Sequence, residues 1–113
     1  MKKLDFNSIQ RPTLELTMRD DARTVLHVTV PSEQLIRELL TFAEEMNEVL
    51  EKKDGRAIEA SFELMAKLIS CNEEYQTVTA PDLRDVYRFS LSDMVIFTQA
   101  YLEFINEINN AKN

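Results

Sequence analysis

The last third of the chain, drawn as a helix that starts at Ser90, carries an unusually wide apolar face. At about 100° per residue its apolar side chains cover roughly 200°, about twice the stripe that a core-facing helix needs. One interpretation is that the whole face serves a single core, because aromatic residues at helical spacing are usually buried. The other is that one stripe packs on this chain while the second binds another subunit or an incoming helix. The aromatic stripe is Phe97, Tyr101, Phe104 and Ile108, and the aliphatic stripe is Leu91, Val95, Leu102 and Ile105.

Alternating apolar and polar residues precede the helical part of the chain. Residues 13–18 and 24–30 both alternate with a period of two, which is typical of half-buried strands, and residues 19–22 provide a turn of about four residues. The pattern predicts a β-hairpin. Because an isolated hairpin is marginal in water, we expect its apolar face to lie on the helices or to join another chain's sheet. The apolar positions are Leu14, Leu16, Met18, Leu26, Val28 and Val30.

Two helices of similar pattern follow the hairpin. The first begins after Pro31 and Ser32, and we expect it to end at Gly55, the only glycine, in a left-handed C-terminal cap. The second runs from about Arg56 to Cys71. With so short a connection the two helices should pack antiparallel to each other.

Two capping boxes in series predict the starts of two more helices. Thr79 and Asp82 open a short helix that should run to about Tyr87 or Arg88, and Ser90 and Asp93 open the final one. The fold class is therefore mainly α, with an N-terminal β-hairpin followed by a bundle of about four helices. A length of 113 residues fits one domain, divided into residues 1–30, with the hairpin, and a helical part at residues 31–113.

The charge balance narrows the classes of partner. Thirteen basic against twenty acidic residues give a formal net charge of −7 and an isoelectric point near 4.7. A duplex-binding module needs a basic surface, and so does a helix that lies on anionic lipid. We therefore expect neither nucleic acid nor membrane as a partner. A lone cysteine and the lack of an apolar span indicate a cytoplasmic protein.

Residues that carry catalysis are scarce in this chain. His27, the only histidine, falls on the outer face of the second predicted strand, and Cys71 has no cysteine or histidine at metal-ligand spacing. Acidic pairs occur at 20–21, 44–45 and 73–74, but adjacent side chains diverge in direction, so a solvated surface explains them. The sequence predicts no catalytic residue, no cofactor and no metal site.

Apolar and capping positions along most of the chain follow the pattern of one protein family. The likeness is carried by LDF at 4–6, RPTL at 11–14, VTAPDL at 78–83, and by Tyr87, Leu91, Asp93, Val95, Phe97, Ala100, Tyr101, Phe104, Ile105, Glu107 and Ile108. In these residues the chain resembles small tail-module proteins of phages and prophages of Gram-positive bacteria. Those proteins are similar to the tail assembly chaperones of long-tailed, siphovirus-type phages, and the likeness includes no catalytic motif.

The resemblance implies a non-enzymatic protein in the cytoplasm of the bacterial host cell. Such chaperones bind the long helical tape measure protein and keep it soluble until tail tube subunits polymerise around it, which also makes the tail tube protein a candidate partner. We further expect self-association. The alternative is a structural tail component, a connector or completion subunit, that stays in the virion. The family supplies no binding residues, so the two stripes of the final helix are the candidate protein-binding residues.

Overall fold

A computed structural model describes residues 2–6 and 11–111 of the chain. A two-stranded antiparallel hairpin is followed by four helical segments, which confirms the predicted fold class. The elements are β1 (Leu14–Thr17), β2 (Val25–Val28), α1 (Glu33–Lys52), α2 (Gly55–Ile69), a short π-helix (Asp82–Val86) and α3 (Leu91–Ala111). Among the described residues, no helix is both long and apolar enough to cross a membrane.

The hairpin packs its apolar face on the helices, as the alternation predicts. Leu16 faces Leu26 across the pair, and both Leu26 and Val28 are completely buried in the core. The outer edge of β2 is covered by the segment that follows α2, where Val28 forms an isolated antiparallel bridge with Asn72. The N–H of Thr29 donates to the Cys71 carbonyl at 2.7 Å. The edge of β2 that faces away from β1 is therefore paired within the chain.

The turn between α1 and α2 differs from the prediction. Lys53, with φ of 50°, takes the left-handed C-cap position, and its N–H donates to the Val49 carbonyl at 3.2 Å. Gly55 is instead the first residue of α2, directly after Asp54, whose carboxylate caps the Arg56 N–H at 3.0 Å. The expectation that Gly55 caps α1 is wrong, because the chain needs that position to start the next helix.

The segment between α2 and the π-helix is more ordered than its polar sequence indicates. α2 ends at Ile69, two residues before the predicted end, because the chain turns there toward β2. The buried Asn72 amide donates to the carbonyls of Ile69 and Gln76, both at 2.8 Å, and its oxygen accepts the Gln76 N–H. Tyr75, in the same turn, is 93% exposed.

Both predicted capping boxes are present. The Thr79 N–H donates to Asp82 at 3.0 Å while the Thr79 hydroxyl accepts the Asp82 N–H at 3.2 Å. The Ser90 N–H likewise donates to Asp93 at 2.8 Å, and the Ser90 hydroxyl accepts the Asp93 N–H at 3.1 Å. The first box opens a π-helix, in which the Tyr87 N–H reaches back to the Asp82 carbonyl at 2.9 Å.

One core joins the hairpin to all the helical segments. No buried side-chain polar atom among the described residues lacks a hydrogen-bond partner. The molecule is nevertheless flat and long: its principal extents are 60 × 34 × 18 Å, and its radius of gyration of 15.5 Å exceeds the ~13 Å of a compact domain of this size. A flat shape leaves the sides of helices uncovered. The largest fully buried side chains are Tyr101, Leu26, Leu39, Met65, Leu68, Ile69, Leu83 and Met94.

Candidate functional site: a groove between helices α1 and α3

The aromatic stripe of the final helix lies inside the core. Phe97, Tyr101 and Phe104 are 5%, 0% and 9% exposed, and the Tyr101 ring stacks edge-to-face with the other two at 5.3 and 5.9 Å. The Tyr101 hydroxyl donates to the Thr29 carbonyl at 2.5 Å, which ties the middle of α3 to the end of β2. Burial raises the pKa of this hydroxyl, so it stays a neutral donor. These three rings therefore pack within the core of this chain.

The other candidate residues of α3 lie at the margin of the core. Leu91, Val95, Leu102, Ile105 and Ile108 are all half-buried. The structure brings the last three together at the C-terminal half of the helix, where they line a surface groove. Leu91 and Val95 lie nearer the N-terminus of α3 and are not among the groove's lining residues.

The groove runs between α3 and α1, and we refer to it as the α1–α3 groove. It has two lobes of about 420 and 460 Å³ that share Ile36, Ile105 and Asn109. Leu40 projects into one lobe and is 49% exposed, and Val30 borders the other and is 40% exposed. The remaining lining residues are Arg11, Pro12, Thr29, Leu102, Glu103, Asn106 and Ile108.

Sequence reasoning on the final helix misses Ile36, Leu40 and Val30. A signal for the first two exists, because the apolar residues of α1 span about half of the helix circumference and so exceed a single core stripe. Val30 continues the alternation of β2 but lies beyond its last paired residue. These residues come next to Leu102 only in the tertiary structure, which the periodicity of a single helix does not show.

The N-terminal end of α3 is held by a charged cluster. Arg19, at the hairpin turn, makes a bidentate ion pair with Asp93 at 2.7 and 3.0 Å and donates to the Arg88 carbonyl at 2.8 Å. Arg88 donates in return to the Arg19 carbonyl. The Arg19 guanidinium holds the pKa of Asp93 well below its usual range. This cluster and Tyr101 fix α3 at its start and middle, so the position of the groove is set by both.

His27 belongs to a cluster on the opposite face of the hairpin. Its Nδ1 lies 2.6 Å from Glu74 and its Nε2 lies 3.2 Å from Glu15, while its backbone N–H donates to Glu74 at 2.7 Å. The hydrogen bond with Glu74 raises the pKa of His27. Cys71 is half-buried, and burial raises the pKa of its thiol. The His27 cluster therefore holds β1, β2 and the segment after α2 together.

Compared with known protein families, curated proteins and solved structures, the chain shows no significant match.

Proposed function

We propose that this protein is a non-enzymatic phage tail assembly chaperone that binds the tape measure protein and keeps it soluble during tail assembly. The observation that supports the proposal most strongly is the α1–α3 groove, an apolar surface at the side of two helices. Leu40 and Val30 are 49% and 40% exposed and lie there among half-buried apolar residues, and contiguous exposed apolar surface marks interaction sites. The resemblance of the chain to tail-module proteins supplies the identity of the partner.

The dimensions of the groove suit a helix as the occupant. On α3 the lining residues run from Leu102 to Asn109, a rise of about 10 Å at 1.5 Å per residue, or two helical turns. Helix-in-groove recognition uses apolar anchors at i, i+3 or i+4, and i+7, which span the same distance. A predominantly helical tape measure protein offers many such stripes along its length. Several copies of the chaperone would cover them in succession.

The acidic surface fits the same role. Each bound copy adds a formal charge of −7 to the complex, and like charge between complexes opposes aggregation. The proposal places this activity in the cytoplasm of the bacterial host cell, before tail tube protein polymerises around the tape measure. Self-association of the chaperone along the partner is part of the proposal.

Co-expression with the tape measure protein of the same gene cluster tests the proposal. We expect the tape measure protein to move from the insoluble to the soluble fraction and to co-purify with this chain. No gain in solubility together with no co-purification would contradict the proposal. Mass spectrometry of purified virions separates the alternative, since a chaperone is missing from the particle while a connector or completion subunit is present.

A further inference from the structure

We infer that the α1–α3 groove takes an amphipathic helix whose apolar stripe is flanked by lysine or arginine. The inference deepens the proposed function, on which it rests for the use of the groove, and it names the chemistry that the bound segment must have. It comes from the distribution of charge over the fold. The apolar lining alone would accept any apolar stripe.

The net charge of the chain is confined to the two helices that border the groove. α1 carries six glutamates and two cations, and α3 carries one aspartate, two glutamates and no cation. Nine carboxylates against two cations leave −7 on these two helices, which equals the formal charge of the whole chain. The rest of the chain holds eleven acidic and eleven basic residues and is neutral. A cationic partner is therefore attracted to the two helices that border the groove.

Most of these carboxylates have no ion-pair partner in the part of the chain that the structure describes. The two cations of α1 already pair with glutamates one turn away, Arg37 with Glu33 at 3.7 Å and Lys52 with Glu48 at 2.6 Å. On α3 the aspartate, Asp93, pairs with Arg19 from the hairpin. Six carboxylates of the two helices make no ion pair within the described residues. They are Glu38, Glu44, Glu45, Glu51, Glu103 and Glu107.

One of these six lines the groove, and a second lies one turn beyond it. Glu103 lines it on α3, and Glu44 follows the lining residue Leu40 by one turn on α1, so each bordering helix carries an acidic residue within one turn of the apolar lining. Asn106 and Asn109 also line the groove and are neutral amides. Arg11, at the far end of the other lobe, is the one cation among the lining residues that the structure describes. The rim therefore complements lysine or arginine on both sides of a bound apolar stripe.

The same charge distribution argues against a second copy of the chain in the groove. Packing two copies together through these helices would bring two pairs of helices, each pair with a net charge of −7, against each other, and like-charge contact across an interface is unfavourable. The proposed self-association therefore uses a different surface. Ile96, 63% exposed on another side of α3, marks one such surface.

Two synthetic helical peptides of about 16 residues test the inference. Both carry leucine at i, i+4, i+7 and i+11, and they differ in whether lysine or glutamate flanks the stripe. Fluorescence anisotropy at about 50 mM and about 300 mM salt measures their affinity for the full chain. We expect the lysine peptide to bind at least about tenfold more tightly at low salt and to lose most of that advantage at high salt. Equal binding of the two peptides, or no binding of either, would overturn the inference.

Matched variants locate the binding. The double variant Glu44→Gln and Glu103→Gln should weaken the lysine peptide about threefold to tenfold at low salt, whereas the exposed Glu63→Gln on α2 should not. Leu40→Ser should weaken both peptides, and Ile96→Ser, another exposed aliphatic residue, should weaken neither. Thermal unfolding confirms that each variant is folded. If Ile96→Ser has the effect of Leu40→Ser, the groove is not the binding site and the inference fails.

The outcomes separate this inference from the proposed function. A tape measure protein that is solubilised by the chain, while the lysine peptide shows no advantage, overturns the charge preference and leaves the chaperone function standing. A lysine peptide that binds in the groove, while the tape measure protein stays insoluble, supports the charge preference and contradicts the function. Sedimentation tests whether a second copy of the chain occupies the groove. If the chain forms an oligomer that the Leu40→Ser variant dissociates, another copy lies in the groove and the inference is overturned.

Discussion

Replacing Tyr101 with phenylalanine tests whether the aromatic stripe serves the core. The change removes one hydroxyl and keeps the ring, so the stacking with Phe97 and Phe104 is retained. It also deletes the 2.5 Å hydrogen bond to the Thr29 carbonyl, in a side chain that is completely buried. A net hydrogen bond contributes about 1 kcal/mol, and a carbonyl left without its partner costs more, so we expect a loss of about 1–2 kcal/mol.

Urea denaturation followed by circular dichroism measures this loss directly. An unchanged slope with a lower midpoint shows that stability has changed and that the unfolded state has not. In thermal unfolding the same loss corresponds to a midpoint lower by about 4–10 °C for a domain of this size. Tyr75→Phe is the matched control, because the same hydroxyl is removed from a side chain that is 93% exposed, and its effect should stay within about 0.5 kcal/mol.

Two results would refute this reasoning. If Tyr101→Phe were as neutral as Tyr75→Phe, the hydroxyl would not hold α3 to the end of β2. If Tyr101→Phe kept full stability and instead weakened binding of the peptide or of the tape measure protein, the aromatic stripe would be a docking surface. We expect the reverse pattern, in which stability falls and binding at the α1–α3 groove is retained whenever the protein is folded.

Three further predictions concern the local structures that hold the fold. Ser90→Ala removes the cap of α3 and should cost about 1 kcal/mol in urea denaturation, whereas Ser92→Ala, on the exposed first turn of the same helix, should cost less than about 0.5 kcal/mol. His27→Gln should destabilise the chain most at pH values below ~6.5, the unfolded-state pKa. Because the bond with Glu74 raises the pKa of His27 in the folded state, its stabilising effect is lost as the pH rises through that higher value. A loss of stability that is the same at acidic and alkaline pH would contradict this role of the His27–Glu74 hydrogen bond. Gly55→Ala should stabilise the chain by about 0.4–1 kcal/mol, because the new methyl group meets no atom within 4 Å and the backbone is not left-handed there. A loss of stability of about 1 kcal/mol or more would instead indicate that Gly55 takes the left-handed cap position.

Features that depend on residues close together in the sequence could be predicted. Each capping box needs two side chains three residues apart, and both boxes formed as their spacing indicated. The hairpin was predictable for the same reason, since alternation decides which face of a strand is buried. The cap of α1 was not, because Lys53 occupies a left-handed conformation that propensity assigns to glycine.

The groove could be predicted in part. Helical periodicity gives the angle at which a side chain leaves its helix, and it predicts that α3 has more apolar surface than one stripe requires. It cannot show which neighbour each stripe meets. Tyr101 finds its partner 72 residues away at Thr29, and Leu102 approaches Leu40 through the packing of two helices that are distant in the chain. These pairings arise from the tertiary structure.

The most direct test of the account is the soluble fraction of the tape measure protein when it is co-expressed with three forms of this chain. The forms are the wild type, Leu40→Asp within the α1–α3 groove and Ile96→Asp on another side of α3, each shown by thermal unfolding to be folded. We predict that the wild type and Ile96→Asp keep the tape measure protein soluble and co-purify with it, while Leu40→Asp does neither. A tape measure protein that stays insoluble with all three forms, or that Leu40→Asp solubilises as well as the wild type, would contradict the account.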